Sequence, residues 1–130
     1  MILTVTLSTA AAMAVLSAWM MMRTGSLRGK LKIMHGDGGN AQLMHRMRAQ
    51  LNFVETAPFI LALIALIELA GKGGMWLPYV AGLYIISRVA HALGMDSDEV
   101  SKPRMFGVLV TMLTMLGLAV VSVLIQFGIM

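Results

Sequence analysis

The chain has 130 residues, 58% of them hydrophobic and only 12% charged, with a formal net charge of +4. A water-soluble domain carries roughly 25% charged residues, and so small a globule cannot hide this much apolar surface; most of it must face lipid, in a single domain. The absence of cysteine excludes disulfides, thiolate metal sites and a cysteine nucleophile, and the cations flank apolar runs without interleaved aromatics, which points to membrane topology and away from nucleic acid.

Residues 2–22 form an uncharged apolar run, which at about 1.5 Å per residue spans roughly 30 Å, the thickness of a bilayer core. No Lys or Arg precedes Arg23, so the run lacks the basic start of a cleaved leader and reads as a first transmembrane helix. Its stretch from Thr9 to Ala14 supplies small residues for close packing. Residues 23–50 make a basic connection that includes Arg23, Arg28, Lys30 and Lys32 and then the Gly-rich HGDGGNAQ. No strand precedes that segment and no G-K-S/T follows, so it is not a phosphate cradle. A turn in which Asp37 or Asn40 caps a second helix fits better. That helix is expected from about Ala41 to Ala70, with its apolar span at 51–70.

GKGG at 71–74 is a short turn, and residues 75–93 form a third span with Trp76 and Tyr79 as interfacial anchors. Pro78 falls in its first turn, where a missing N–H does little harm. Residues 94–104 are polar, Pro103 suits the first turn of the next helix, and 105–128 form a fourth span. The expected architecture is all-α, an integral membrane four-helix bundle in one domain, 1–130. Eight Lys or Arg fall between Arg23 and Arg48 and between Lys102 and Arg104, against Lys72 alone in the second connection. The positive-inside rule then puts both termini outside and the basic connections, 23–50 and 94–104, in the cytoplasm.

The densest chemistry is in Arg46 to Pro58, where Arg48, Asn52 and Glu55 are spaced by four and then three. On a helix such offsets stack side chains on one face. Polar groups at the entry to an apolar medium are costly unless they face partners or water, and are functional candidates. Arg88 and His91, three apart, share a face of the third helix. The topology brings them, the Arg48 stripe and Arg104 to one depth near the cytoplasmic boundary. Arg28, Arg48, Arg88 and Arg104, with Glu55 as the one carboxylate expected there, would suit a small polyanionic ligand, because guanidinium forks bind carboxylates bidentately.

Blander readings stay open from the residues alone. Arg48 and Glu55 would form a stabilising ion pair, Arg88 would snorkel to headgroups, and His91 would be a hydrogen-bonded packing residue. No second histidine is spaced to share a metal with it. Glu68 has Lys72 at i+4 and reads as a local pair. His35, His45, Asp96, Asp98 and Glu99 read as solvated loop or helix-start residues, and the 14 methionines as adaptable packing.

The string R-A-Q-L-N-x-x-E-x-x-P, from Arg48 to Pro58, resembles the second-helix signature of the MAPEG family, the membrane-associated proteins of eicosanoid and glutathione metabolism. G-S-L-R ending at Arg28, S-R-V-A-H ending at His91 and K-P-R at the head of the fourth helix also fit, so the resemblance covers essentially the whole chain. It implies a homotrimer that binds glutathione as co-substrate between protomers on the cytoplasmic side, with no metal. By motif position it implies that Arg28, Arg48, Gln50, Asn52, Glu55, Arg88 and His91 hold glutathione or shape its pocket. Arg104 would be the catalytic residue that stabilises the thiolate. The implied activity is that of a transferase or peroxidase attacking hydrophobic electrophiles or lipid. Met95 stands where prostaglandin E synthases carry a tyrosine, and Pro103 and Arg104 are adjacent where those enzymes have one residue between them. The second departure shifts the register of Arg104, and the first favours a bacterial-type member, in an inner membrane, over an eicosanoid enzyme. Alternatives are a small four-helix multidrug transporter coupled through Glu55, and a non-catalytic glutathione- or lipid-binding member of the same fold.

Overall fold

Each apolar run between the Gly- and Pro-bearing connections forms one helix. The computed structural model describes residues 1–130 and contains α1 (Thr4–Leu31), α2 (Ala41–Leu69), α3 (Trp76–Gly94) and α4 (Lys102–Gln126), with no strand. Buried positions recur every three or four residues, at Met13, Leu16 and Met20 on α1 and at Phe53, Ala57, Ile60, Ile64 and Ile67 on α2. With Leu77, Ala81 and Tyr84 of α3 and Leu118 of α4 they form the core. Large apolar side chains such as Val15, Phe59, Leu66, Leu83 and Leu113 point outward. In lipid that exposure costs nothing, and helices associate through close packing and hydrogen bonds.

Helices α1, α2 and α4 are each long and apolar enough to cross a membrane. The shorter α3, interrupted by Arg88 and His91, falls outside that group. Around the bundle α1 packs on α2, α2 on α4, α4 on α3 and α3 on α1; α2 also meets α3 through the middle, while α1 and α4 stay apart.

The first helix overturns one expectation. It does not end at residue 22 but continues to Leu31, so Arg23 and Arg28 ride on α1 and the connection shrinks to 32–40. Gly25 and Gly29 weaken a helix by only about 1 kcal/mol each, too little to stop one that is otherwise well formed. The stop comes at Lys32, in the left-handed conformation at φ 57°, where its N–H and that of Ile33 both return to the Arg28 carbonyl. Asn40 then caps α2 by accepting from Leu43 N at 2.9 Å, while Asp37 takes the Gly39 N–H within the turn.

Glu68 corrects a second expectation. Its carboxylate forms no ion pair with Lys72; it accepts from Val5 N at 2.8 Å and Thr6 N at 3.0 Å. Leu3, the residue before α1, offers no side-chain cap, so a carboxylate from α2 satisfies the first free N–H groups of α1 and complements its dipole. Glu68→Ala is expected to cost about 1 kcal/mol, the usual loss for a helix cap, and to speed hydrogen exchange at the Val5 and Thr6 amides. Lys72→Ala should change neither. Unaltered exchange in the Glu68 variant would remove the capping role.

Candidate functional site

The site begins with how closely α3 and α4 approach. A Cβ on Gly94 would lie 2.9 Å from the Arg104 Cα and nearer still to its N, and one on Gly107 would lie 2.7 Å from the Ser87 carbonyl oxygen. The two antiparallel backbones therefore touch at this end, Gly94 facing Arg104 and Gly107 facing His91. One turn deeper, Arg88 of α3 reaches Thr111 of α4, its Nη1 donating to Oγ1 at 3.0 Å.

Helix α2 meets α3 through a matched pair of offsets. Asn52 and Thr56, four apart, face Arg88 and Tyr84, also four apart: Arg88 Nη2 donates to Asn52 Oδ1 at 2.7 Å, and the Thr56 and Tyr84 hydroxyls lie 3.4 Å apart. The Phe53 ring, 5.9 Å from the guanidinium carbon, lies beneath Arg88. The result is a cavity of about 170 Å³ between α2, α3 and α4. Arg48, Asn52, Glu55, His91 and Arg104 form its polar wall, and Leu51, Met95 and Val108 the apolar remainder. The groove between α3 and α4 at the other end, lined by Trp76, Leu83, Leu113 and Leu118, is larger at about 310 Å³ but carries no titratable group.

Arg104 lies in the first turn of α4, behind the Ser101 cap, whose Oγ accepts from the Arg104 N–H. A cation there adds to the positive end of the helix dipole, an arrangement that is unfavourable alone and favourable toward an anion. No ion pair joins Arg48 to Glu55; Arg23 pairs with Asp96, and His45 Nε2 contacts Asp98 Oδ1. Both guanidiniums and the lone carboxylate are thus left facing the cavity.

Three residues named from sequence lie elsewhere. Arg88 is 1% exposed and does not snorkel; it lies behind Asn52 and His91 and lines no part of the cavity. Arg28 and Gln50 are on the other flank of α2, in a groove of about 500 Å³ between α1 and α2 that also includes Thr24 and Val54. There Arg28 Nη1 donates to the Gly36 carbonyl at 2.8 Å, and Thr24 Oγ1 donates to Gln50 Oε1 at 3.3 Å. Leu51 borders both the groove and the cavity.

The α3–α4 connection is exposed at residues 97–100, as expected of a solvated loop, but Asp96 is partly withdrawn and tied to the bundle. Because α1 continues past Arg23, that guanidinium pairs with Asp96 and stacks 4.9 Å from the Trp19 ring, and its carbonyl accepts from Arg46 Nη1 at 2.9 Å. His45 reaches Asp98 at 3.0 Å. The connection bearing Met95 is tied to both α1 and α2. Leu51 and Val108, lining residues that sequence reasoning passed over, sit three after Arg48 and four after Arg104, so the same-face offsets would have found them.

A bundle of membrane-spanning helices with a cationic cavity at its basic end is the class these observations define. The MAPEG family model matches residues 6–124, nearly the whole chain, and the chain belongs to the MAPEG family. It is an integral membrane protein of a family that includes glutathione transferases and related enzymes. No curated protein and no solved structure matches the chain.

Proposed function

We propose that the protein is a glutathione-dependent transferase or peroxidase that activates the glutathione thiol for attack on hydrophobic electrophiles dissolved in the membrane. The observation that carries this reading is the convergence of Arg48, Asn52, Glu55, His91 and Arg104 from three helices on one cavity. Glutathione offers two carboxylates, one ammonium and one thiol. Arg48, Asn52 and His91 supply donors for a carboxylate, Glu55 an acceptor for the ammonium, and Arg104 a cation for the sulfur. A cation beside a thiol lowers its pKa from about 8.5 into the physiological range. The thiol proton leaves to water at the basic end, the thiolate sulfur bonds to the electrophilic carbon, and the leaving group departs with the bonding pair.

A homotrimer fits the dimensions. A cavity of about 170 Å³ is smaller than the ~300–1,000 Å³ of typical ligand sites, so one chain holds only part of a tripeptide. Arg48 and Glu55 lie on an exposed stripe of α2 with Met44, Leu51 and Leu66, and charges turned to lipid at this depth are costly. A second copy against that stripe covers them and adds Arg28 and Gln50 from its α1–α2 groove. In this reading α3 also crosses the bilayer, enclosed by its neighbours. Both termini are periplasmic, and the site opens to the cytoplasm of a bacterial inner membrane, in keeping with the cations at that end.

The transporter alternative is poorly served by a cavity in which Arg48 and Arg104 flank Glu55, since both repel a cationic drug. The test is saturable glutathione binding by the detergent-solubilised protein, read by calorimetry, together with the ultraviolet absorbance of bound thiolate and turnover of an aryl halide. Absence of a saturable signal at millimolar glutathione would refute the reading; binding and thiolate without turnover would leave a non-catalytic glutathione-binding protein.

A further inference from the structure

Arg88 is the most buried cation in the protein, and no carboxylate pairs with it. Its Nη1 donates to Thr111 Oγ1 at 3.0 Å, and its Nη2 serves both Asn52 Oδ1 at 2.7 Å and His91 Nδ1 at 3.3 Å, while Nε is buried without a partner. All of these partners are neutral acceptors. A buried guanidinium is expensive without a counter-charge, so its retention behind the cavity calls for a role that a neutral side chain would not fill.

We infer that Arg88 is a positioning residue that fixes the direction in which Asn52 and His91 present their hydrogen-bond donors, making the cavity selective for an anionic group. Guanidinium has donors only. Asn52 Oδ1 is therefore committed to Arg88, and the amide NH₂ turns to the cavity. By the same argument His91 Nδ1 holds a lone pair, so the neutral ring carries its proton on Nε2. Neither Asn52 Nδ2 nor His91 Nε2 has a hydrogen-bond partner in the protein, and both residues line the cavity. With Arg48 and Arg104 they make a wall of donors in which Glu55 is the one carboxylate. The charge of Arg88 also polarises its hydrogen bonds to Asn52 and His91 and strengthens those two residues as donors on their far sides. A carboxylate or thiolate of the guest then supplies the negative charge that the protein withholds.

Only the identity of the anion rests on the glutathione reading, and the experiment separates the two. In ligand-free protein with ¹⁵N-labelled histidine, the ring signal lost in His91→Gln should report the Nε2–H tautomer and become a tautomer mixture in Arg88→Met. Asn52→Asp should raise the melting temperature, because it places a carboxylate against Arg88. It should also weaken glutathione binding about tenfold or more, because it turns a cavity-facing donor into an acceptor. A residue that merely filled space would move neither the tautomer nor the opposed signs of stability and affinity. The inference is overturned by an Nδ1–H tautomer in the wild type, by the same tautomer in Arg88→Met, or by undiminished glutathione affinity in Asn52→Asp. If the tautomers behave as expected while wild-type protein binds no glutathione, the positioning role is supported and the glutathione reading alone fails.

Discussion

Gly107→Ala is expected to be the most damaging single-methyl change in the protein. The added Cβ would meet the Ser87 carbonyl oxygen at 2.7 Å and the His91 Cα at 2.9 Å, with the His91 Cβ nearer still. These are backbone and Cβ atoms of a packed helix, so no flexible side chain can swing aside. Alanine in place of glycine favours a helix by about 1 kcal/mol, whereas overpacking costs about 1–3 kcal/mol and more where neighbours cannot retreat. The steric term wins. Relief requires α4 to move away from α3, which separates Arg104 from His91, so activity should fall further than stability alone explains. Gly117→Ala, on the same helix with nothing within 4 Å of the new Cβ, is the control and should be neutral or stabilising by roughly 0.5–1 kcal/mol. Thermal unfolding in detergent compares them. Equal melting temperatures would mean that α3 and α4 are not held at backbone contact.

Arg104→Ala should have the largest effect on chemistry. If Arg104 is the charge that stabilises the glutathione thiolate, its removal resembles the loss of one preorganised transition-state donor, worth about 10²–10³ in turnover. The thiolate absorbance of bound glutathione should vanish at neutral pH. Binding should survive in part, because the donors of Arg48, Asn52 and His91 remain on the cavity wall, so the loss should fall mainly on kcat and less on KM. Arg104→Lys keeps a charge but gives up the planar fork, and should recover part of the rate. Arg48→Ala should show the reverse split, raising KM more than it lowers kcat. Wild-type thiolate absorbance in Arg104→Ala would transfer the catalytic role to another residue.

Much of this was legible in the chain because helices repeat at a fixed interval. Offsets of three and four placed Arg48, Asn52 and Glu55 on one face, and all three do line the cavity. The alternation of apolar runs and basic connections brought His91 and Arg104 to the same end, and they line it as well. Asn40 and Pro103 mark helix starts as their backbone chemistry requires. The errors arose where a partner from another helix decided the outcome. Glu68 has a lysine one turn away, yet its carboxylate goes to the free N–H groups of α1, which no local rule could supply. Arg23, expected in the connection, rides on a helix that continues past it and pairs with Asp96. Gln50, two residues after Arg48, turns to the α1–α2 groove with Arg28, because an offset of two points to a different face of a helix.

Hydropathy and helical period are properties of a run of residues, so the chain alone specifies an all-helical membrane bundle with most of its cations at one end. Which of those cations line the cavity depended on how the helices pack. The depth at which two helices touch, set here by Gly94 and Gly107, depends on atoms that are distant in sequence. So does the reach of Arg88 to Asn52 and His91, which divides the charged residues into those lining the cavity and the one that orients them from behind.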